Sequence, residues 1–133
     1  MTANNKLNLF YLSLIFFIIF LDRMTKLLMG IKAKNYGAAF GILPGYNILF
    51  ISIALILVMA IGYYIKKANS KILRLDFSFI LAGTIGNLID RAYYGYVIDV
   101  IKIPFFNFPA FNIADLSNVF GALLLVIFIS GKK

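Results

Sequence analysis

The sequence predicts an all-α membrane protein, a bundle of four transmembrane helices with a small extended, β-like extracytoplasmic segment. Hydrophobic residues make up 62% of the 133 residues, and charged residues only 14%. The mean hydropathy is +0.94. A soluble domain of this length could not bury so much apolar surface, so the surplus is expected to face lipid. The length leaves room for a single integral membrane domain, residues 1–133.

The first predicted span covers about residues 7–29. Its apolar run from Leu7 to Leu21 is short, because a span needs roughly 20 residues. The helix is therefore expected to continue through Asp22 and Lys26. A cleavable signal peptide is the rival interpretation, but no small-residue cleavage site follows the apolar run. The pattern favours a signal anchor.

Two further spans follow a predicted loop. Glycine and proline punctuate residues 31–46, which is typical of a loop. The second span is predicted over residues 47–65, and residues 68–75 form a short basic connector. Asp76 is expected to cap the next helix. The third span then covers about residues 77–92.

Residues 93–110 are rich in aromatic side chains and do not show a helical pattern. The stretch from Tyr96 to Ile103 carries many β-branched residues, and Pro104 and Pro109 follow it. This composition predicts extended chain at the membrane interface, where Tyr and Phe are common. The fourth span is predicted over residues 111–129.

Basic residues are distributed unequally on the two sides of such a bundle. One side carries Lys6, Lys66, Lys67, Lys71, Arg74, Lys132 and Lys133, and the other carries Lys32, Lys34 and Lys102. The positive-inside rule then predicts that both termini are cytoplasmic, N-in and C-in. The chain has a net charge of +8, and most of its basic residues flank apolar runs. This pattern suits binding to membrane lipids with anionic headgroups better than binding to nucleic acid.

The chain offers few groups for chemistry. It contains no Cys and no His, so the commonest metal ligands and the commonest general base are missing. No metal site and no cofactor are predicted. All five acidic residues are aspartates: Asp22, Asp76, Asp90, Asp99 and Asp115.

Ionisable residues inside a span are costly and usually pair or face a wet cavity. Asp22 and Lys26 are spaced i, i+4, so they are expected to pair on one helix face. Asp90 and Arg91 are expected to cap the third span and lock its end. A structural role is the favoured interpretation of these four residues.

Asp99 and Asp115 differ, because neither has a basic residue at helical spacing in its own segment. Lys102 would lie on the opposite face of extended chain from Asp99. Asp115 shares a helix face with Asn112. If the connector folds back onto the fourth span, the two carboxyls can meet and share a proton. One could then deprotonate a water while the other protonates the departing group.

This is the chemistry of an aspartyl peptidase, and it requires neither a metal nor a His. An HExxH zinc site or a serine mechanism with a His base would need His. Two other interpretations stay open: a small ion- or proton-coupled transporter, because intramembrane Asp residues also build ion pathways, and a structural membrane subunit. Transporters tend to place such groups near the midplane, often with internal repeats, and this sequence shows neither feature.

Four sequence blocks occur in an order that matches a known family. Residues 22–26 read DRMTK, residues 35–40 read NYGAAF, residues 86–91 read GNLIDR with VID at 97–99, and residues 111–115 read FNIAD. Over nearly its whole length the chain resembles the lipoprotein signal peptidase (signal peptidase II) family. Each block alone is weakly specific, whereas four in order on a four-span chain are strongly so.

The resemblance implies that Asp99 and Asp115 form the catalytic pair. The residues that it implies as lining or supporting the site are Asn35, Asn87, Arg91, Asn112, Asp22, Lys26 and Asp90. It further implies that the substrates are prolipoproteins with a diacylglyceryl-modified cysteine, cleaved just before that cysteine. The expected location is the bacterial plasma membrane, with the active site near the outer leaflet.

Overall fold

The computed structural model of the chain describes residues 3–131, and the side chains from residue 8 onward. Its four α-helices are α1 (Ala3–Met29), α2 (Asn47–Lys67), α3 (Lys71–Tyr94) and α4 (Ile113–Ser130). Two short strands, β1 (Ala33–Asn35) and β2 (Val97–Asp99), form an antiparallel pair. A mostly helical chain with a small β-like segment is what the sequence predicts. Lys132, Lys133 and the side chain of Lys6 lie outside the described residues.

Three helices in the described part of the chain, α2, α3 and α4, are long and apolar enough to cross a membrane. The remaining predicted span falls on the 27-residue helix α1. Large apolar side chains point away from the bundle on every helix. Phe16 of α1 is 71% exposed, Ile48 of α2 is 81% exposed and Ile127 of α4 is 66% exposed. Such surfaces are stable when they face lipid rather than water.

Helix α3 lies at the centre, where it packs against α1, α2 and α4. A buried apolar cluster joins α1, α2 and α3 through Ile15, Ile18, Ile61, Leu81 and Ala82. Two glycines of α3, at positions 83 and 86, let α4 approach closely. A Cβ at Gly86 would lie 2.9 Å from the Cβ of Ala114, which is too close for two methyl groups. Small residues at a contact between membrane helices allow such a close approach.

The start of α3 differs from the prediction. Ser70 is the N-cap, because its side chain accepts a hydrogen bond from the backbone N–H of Leu73 at 3.4 Å. The helix therefore includes most of the basic stretch that was predicted as a connector, and Lys and Arg are good helix formers. Asp76 lies inside the helix and is completely buried, so the prediction that it caps α3 is wrong.

The end of α3 differs as well. Asp90 and Arg91 were expected to cap this helix, but it continues to Tyr94. Gly95 ends it in the left-handed conformation, with φ of +81°, and its N–H donates to the Arg91 carbonyl at 3.1 Å. Glycine adopts this conformation without strain. The Asp90 side chain is thereby free to bond outside its own helix end.

The connector after α3 turns back onto the start of α4. Ile101 forms an antiparallel bridge with Phe111, and the backbone N–H of Val100 donates to the Phe111 carbonyl at 3.0 Å. The extended prediction is confirmed for Val97–Asp99. Its partner strand β1 lies in a stretch that was predicted only as a loop. The two strands pair in the register Ala33 opposite Asp99.

Candidate active site

The first turn of α4 fixes the side chain of Asp115. Asn112 is the N-cap, and its Oδ1 accepts the Asp115 backbone N–H at 2.8 Å. In return, Asp115 Oδ2 accepts the Asn112 backbone N–H at 3.1 Å. This reciprocal capping box is formed by residues N-cap and N3 of the helix. It orients the Asp115 carboxyl group at the end of the bundle that carries β1 and β2, called the sheet end below.

The side-chain amide of Asn112 links the two aspartates. Its Nδ2 donates to Asp99 Oδ1 at 2.9 Å, to the Ile98 carbonyl at 3.1 Å and to Asn87 Oδ1 at 3.2 Å. Asn87 in turn donates from its Nδ2 to Asp115 Oδ1 at 2.8 Å. Asn112 therefore contacts Asp99 with its side chain and Asp115 with its backbone and side chain. The structure brings these four predicted site residues into one hydrogen-bonded network.

Asp99 is only 3% exposed. Burial, followed by the negative charge of Asp115, raises the pKa of Asp99 to about 7. The hydrogen bond from Asn112 acts in the opposite direction. A carboxyl group with this pKa carries a proton part of the time at neutral pH, which an acid–base catalyst requires.

Two cavities open beside this network. The larger, about 570 Å³, is lined by Asn87, Arg91 and Asp115 together with mostly apolar residues. The smaller, about 330 Å³, is lined by Asp99 among other residues. Residues shared by both linings are Asn35, Phe40, Pro109 and Ala110. The two aspartates thus line adjoining cavities, and the larger cavity has the volume of a small-molecule site.

Asn35 and Arg91 position the loop at the cavity edge. Asn35 Oδ1 accepts the Gly37 backbone N–H at 2.9 Å, and its Nδ2 donates to the Ala38 carbonyl at 3.2 Å. Arg91 Nη2 donates to the Gly37 carbonyl at 2.7 Å. The guanidinium also lies 4.8 Å from the ring centroid of Phe50. Within residues 3–131, its buried Nη1 has no hydrogen-bond partner.

A cluster of four charged side chains lies behind the network. The predicted Asp22–Lys26 pair forms, with Nζ at 2.8 Å from Asp22 Oδ2. Asp90 bonds to Lys26 at 2.7 Å and to Arg23 at 2.6 Å, which replaces its predicted capping role. Sequence reasoning missed Arg23, although its position between Asp22 and Lys26 is a signal that could have pointed to it. Within residues 3–131, no three acidic side chains cluster to hold a metal ion.

The fold is that of a bacterial membrane enzyme, because two solved structures of such enzymes share it over most of this chain. One, a bacterial membrane enzyme structure by the in meso method at 2.3 Å, has a TM-score of 0.83 and 30% identity, covering 91% of this chain and 87% of that chain. A second, at 1.9 Å, has a TM-score of 0.78 and 31% identity, covering 90% of this chain and 92% of that chain.

Comparison of the sequence with known families and relatives identifies the family. The family model for signal peptidase (SPase) II matches residues 14–130, and this chain belongs to that family. The lipoprotein signal peptidase of Clostridium tetani is 45% identical over 101 residues, which cover 72% of this chain and 65% of that protein, slightly under two thirds. The lipoprotein signal peptidase of Halothermothrix orenii is 40% identical over 131 residues, covering 84% of this chain and 89% of the relative. The resemblance seen in the four sequence blocks is confirmed.

Proposed function

We propose that this chain is an intramembrane aspartyl endopeptidase. It removes signal peptides from diacylglyceryl-modified prolipoproteins and cleaves before the lipidated cysteine. The observation that carries the proposal is that Asp99 and Asp115 both form hydrogen bonds with Asn112 beside two adjoining cavities. Membership of the signal peptidase II family supports it.

The chemistry needs one proton shared by the two aspartates. Asp99 carries this proton, in keeping with its pKa of about 7. Asp115 takes a proton from a water molecule, whose oxygen attacks the carbonyl carbon of the scissile peptide bond. Asp99 supplies its proton to the departing amine as the C–N bond breaks. The products are a carboxylic acid and an amine, and the pair again holds one proton.

Polar groups around the pair are suited to hold the substrate backbone. Arg91 lines the larger cavity, and within residues 3–131 its buried Nη1 has no hydrogen-bond partner; this donor would bind a peptide carbonyl of the substrate. Asn35 lines both cavities and keeps its loop in place. Asn87 and Asn112 hold the two carboxyl groups. Asp22, Lys26 and Asp90 support the site from behind.

The proposed topology has four spans in a single domain, residues 1–133, in which α1 joins α2, α3 and α4 as a membrane span and both termini are cytoplasmic. The sheet end then lies near the outer leaflet of the plasma membrane. The chain has no native Cys, so single cysteines can report the topology. A cysteine at Ser70 should react with a membrane-impermeant thiol reagent only from the cytoplasm, and one at Lys34 only from outside. The reverse pattern would contradict the proposed orientation.

Substrate choice follows from the depth of the pair. A peptide bond stays at the outer interface only if something anchors it there. Two acyl chains on the residue after the scissile bond provide such an anchor, because each buried methylene contributes about 0.8 kcal/mol. The mainly apolar lining of the larger cavity, which includes Phe108 and Leu116, suits this part of the substrate. Binding energy from the lipid can then position the bond at the carboxyl groups.

The decisive experiment compares matched precursors with and without prior lipid transfer, in a gel-shift assay with purified protein. The lipidated precursor should be cleaved, and the same precursor without lipid should not, even at high concentration. Chelators should leave the rate unchanged. Equal rates on both precursors would contradict the lipoprotein assignment, and chelator inhibition reversed by zinc would contradict the aspartyl mechanism. Ion movement without cleavage would favour the transporter interpretation.

A further inference from the structure

Arg23 lies at the centre of the charged cluster. Its guanidinium donates from Nη1 to Asp90 Oδ1 at 2.6 Å and from Nη2 to Asp22 Oδ2 at 2.6 Å. The same Nη2 donates to the Gly86 carbonyl at 3.0 Å. Lys26 bridges the same two carboxylates from the other side. Two cations therefore hold two carboxylates, one from α1 and one from α3.

Each of these carboxylates also binds one backbone N–H. Asp22 Oδ1 accepts the N–H of Ala114 at 3.0 Å. Asp90 Oδ2 accepts the N–H of Ile98 at 3.0 Å. Ala114 immediately precedes Asp115, and Ile98 immediately precedes Asp99. The cluster thus binds the chain at equivalent places, one residue before each member of the proposed catalytic pair.

We propose that Arg23 is a positioning residue of the active site, an inference that rests on the proposed function. Its planar guanidinium sets the separation of the Asp22 and Asp90 carboxylates, and these set the positions of the backbone at Ala114 and Ile98. Arg23 is not among the residues that line the two cavities beside Asp99 and Asp115. It therefore acts on the reaction through Asp22 and Asp90 and not by contact with substrate.

Arginine suits this role better than lysine. Its donors are fixed in a planar fork, so two carboxylates bound to it are held at a fixed separation. A lysine ammonium is a point charge on a flexible stem and could satisfy one carboxylate without fixing the other. Gly86 adds to the constraint, because a Cβ there would lie 3.1 Å from Asp22 Oδ2. The close approach of α3 to Asp22 leaves little room for the cluster to rearrange.

The test compares Arg23→Lys and Arg23→Gln with Arg74→Gln. Arg74 is a matched control, because it bonds to the Ala68 carbonyl and to Asn8 at the opposite end of the bundle. Cleavage of the lipidated precursor is measured per folded enzyme, with thermal unfolding in detergent as the measure of folding. Both Arg23 variants should lose kcat by roughly 10–100-fold with KM unchanged, because small misplacements of catalytic groups cost about this much. Arg74→Gln should retain kcat.

A purely structural role predicts another result: the Arg23 variants unfold at lower temperature but keep the kcat of the parent per folded molecule. That outcome would overturn the proposal, as would an equal loss of kcat in Arg74→Gln. If Arg23→Gln does not accumulate, Arg23→Lys decides alone by the same criterion. The cleavage of the lipidated precursor by the unsubstituted chain tests the proposed function separately.

Hydrogen exchange provides a readout that needs no turnover. The amides of Ile98 and Ala114 should exchange at least several-fold faster in Arg23→Lys than in Arg74→Gln. Unchanged exchange at both amides would overturn the proposal even if activity fell. If the unsubstituted chain does not cleave the precursor but the two amides still exchange faster in Arg23→Lys, the proposed function is contradicted. The inference that Arg23 positions the backbone at Ile98 and Ala114 would still stand.

Discussion

Both ends of the bundle contain buried aspartates, but the two ends differ in the number of hydrogen-bond partners that these carboxyl groups have. At the sheet end, all four carboxyl oxygens of Asp22 and Asp90 have bonded partners, which come from α1, the connector and α4. At the opposite end, Asp76 is completely buried. One of its oxygens accepts the N–H of Phe77, and Oδ2 has no hydrogen-bond partner within residues 3–131.

Burial alone therefore does not distinguish a candidate site in this molecule. What distinguishes the sheet end is that donors from separate elements converge on its carboxyl groups. Arg74 is close to Asp76 in sequence, yet its guanidinium bonds to the Ala68 carbonyl and to Asn8. Among the described residues, the opposite end thus contains a buried Asp and an Arg that bond to other groups and not to each other. Substitutions at the two ends should have different consequences for activity.

The largest difference is expected for the proposed catalytic pair. Asp99→Asn and Asp115→Asn should each lower cleavage by at least about 100-fold, because Asn keeps the size of the side chain but cannot exchange a proton. Both variants should still accumulate in membranes, which immunoblots of membrane fractions can check. Appreciable turnover by either variant would remove that residue from the pair.

The pH dependence should sharpen the same contrast. Asp99 has its pKa raised from 3.8 to about 7, so the protonated form that the mechanism needs is lost above that pH. The rate should fall about tenfold per pH unit on the alkaline side. A rate that stays constant well above pH 7 would contradict this role of Asp99.

The same pKa makes a prediction for stability. The folded protein favours protonated Asp99, so this contribution is fully present below about pH 3.8 and is lost as the pH rises to about 7. Asp99→Asn removes the titrating group. Its unfolding temperature in detergent should therefore decline less over this pH range than that of the parent chain. An identical decline in both proteins would show that Asp99 does not titrate in this range.

Glycine substitutions separate packing from catalysis at the two ends. Gly86→Ala should lower both stability and kcat, because its Cβ would meet Ala114 and Asp22 at the site; overpacking of this kind costs about 1–3 kcal/mol. Gly121→Ala should lower stability alone, because its Cβ would lie 2.8 Å from the carbonyl oxygen of Asp76 at the opposite end. Unfolding temperature and kcat per folded enzyme are the measurements.

Gly62→Ala is the matched control for these variants, because a Cβ there meets nothing within 4 Å. It should leave activity unchanged and stabilise the helix by up to about 1 kcal/mol. A loss of kcat in Gly121→Ala as large as that in Gly86→Ala would mean that the ends of the bundle are not independent.

The smallest effect is expected for Asp76→Asn. This residue lies outside the hydrogen-bonded network, so kcat should stay within about twofold of the parent value. The comparison needs the parent, Asp76→Asn and Asp99→Asn assayed on one lipidated substrate. A large loss of activity in Asp76→Asn would show that the opposite end also takes part in the reaction.

Much of the helical architecture was predictable from the sequence, because apolar runs near 20 residues with basic flanks have a simple physical cause. The start of α3 was not predictable from hydropathy alone, because its first turns contain lysine and arginine, which are typical of a connector between spans. Serine is a common N-cap residue, so Ser70 indicates a helix start that the hydropathy pattern does not. The pairing of β1 with β2 depends on contacts between distant segments, which no local pattern encodes.

Part of the candidate site was also predictable from the sequence. Asp99 and Asp115 stood out because they lack local basic partners, and the structure places both against Asn112. The role of Asp90 was misjudged, because its partners Arg23 and Lys26 lie 67 and 64 positions away in the chain. A residue whose partners are that distant has no local signature.

The charged cluster also has a consequence for the order of events during synthesis. Helix α1 leaves the ribosome before the other three described helices, with one carboxylate, Asp22, against two cations, Arg23 and Lys26. A charge without a partner is costly inside a bilayer, and the counterion that balances it, Asp90, is made 64 residues after Lys26. Ala114, the last ligand of the cluster, follows later still. Among the four described helices, the first to be made is thus completed by the last, and the proposed active site can assemble only after the start of α4 has been synthesised.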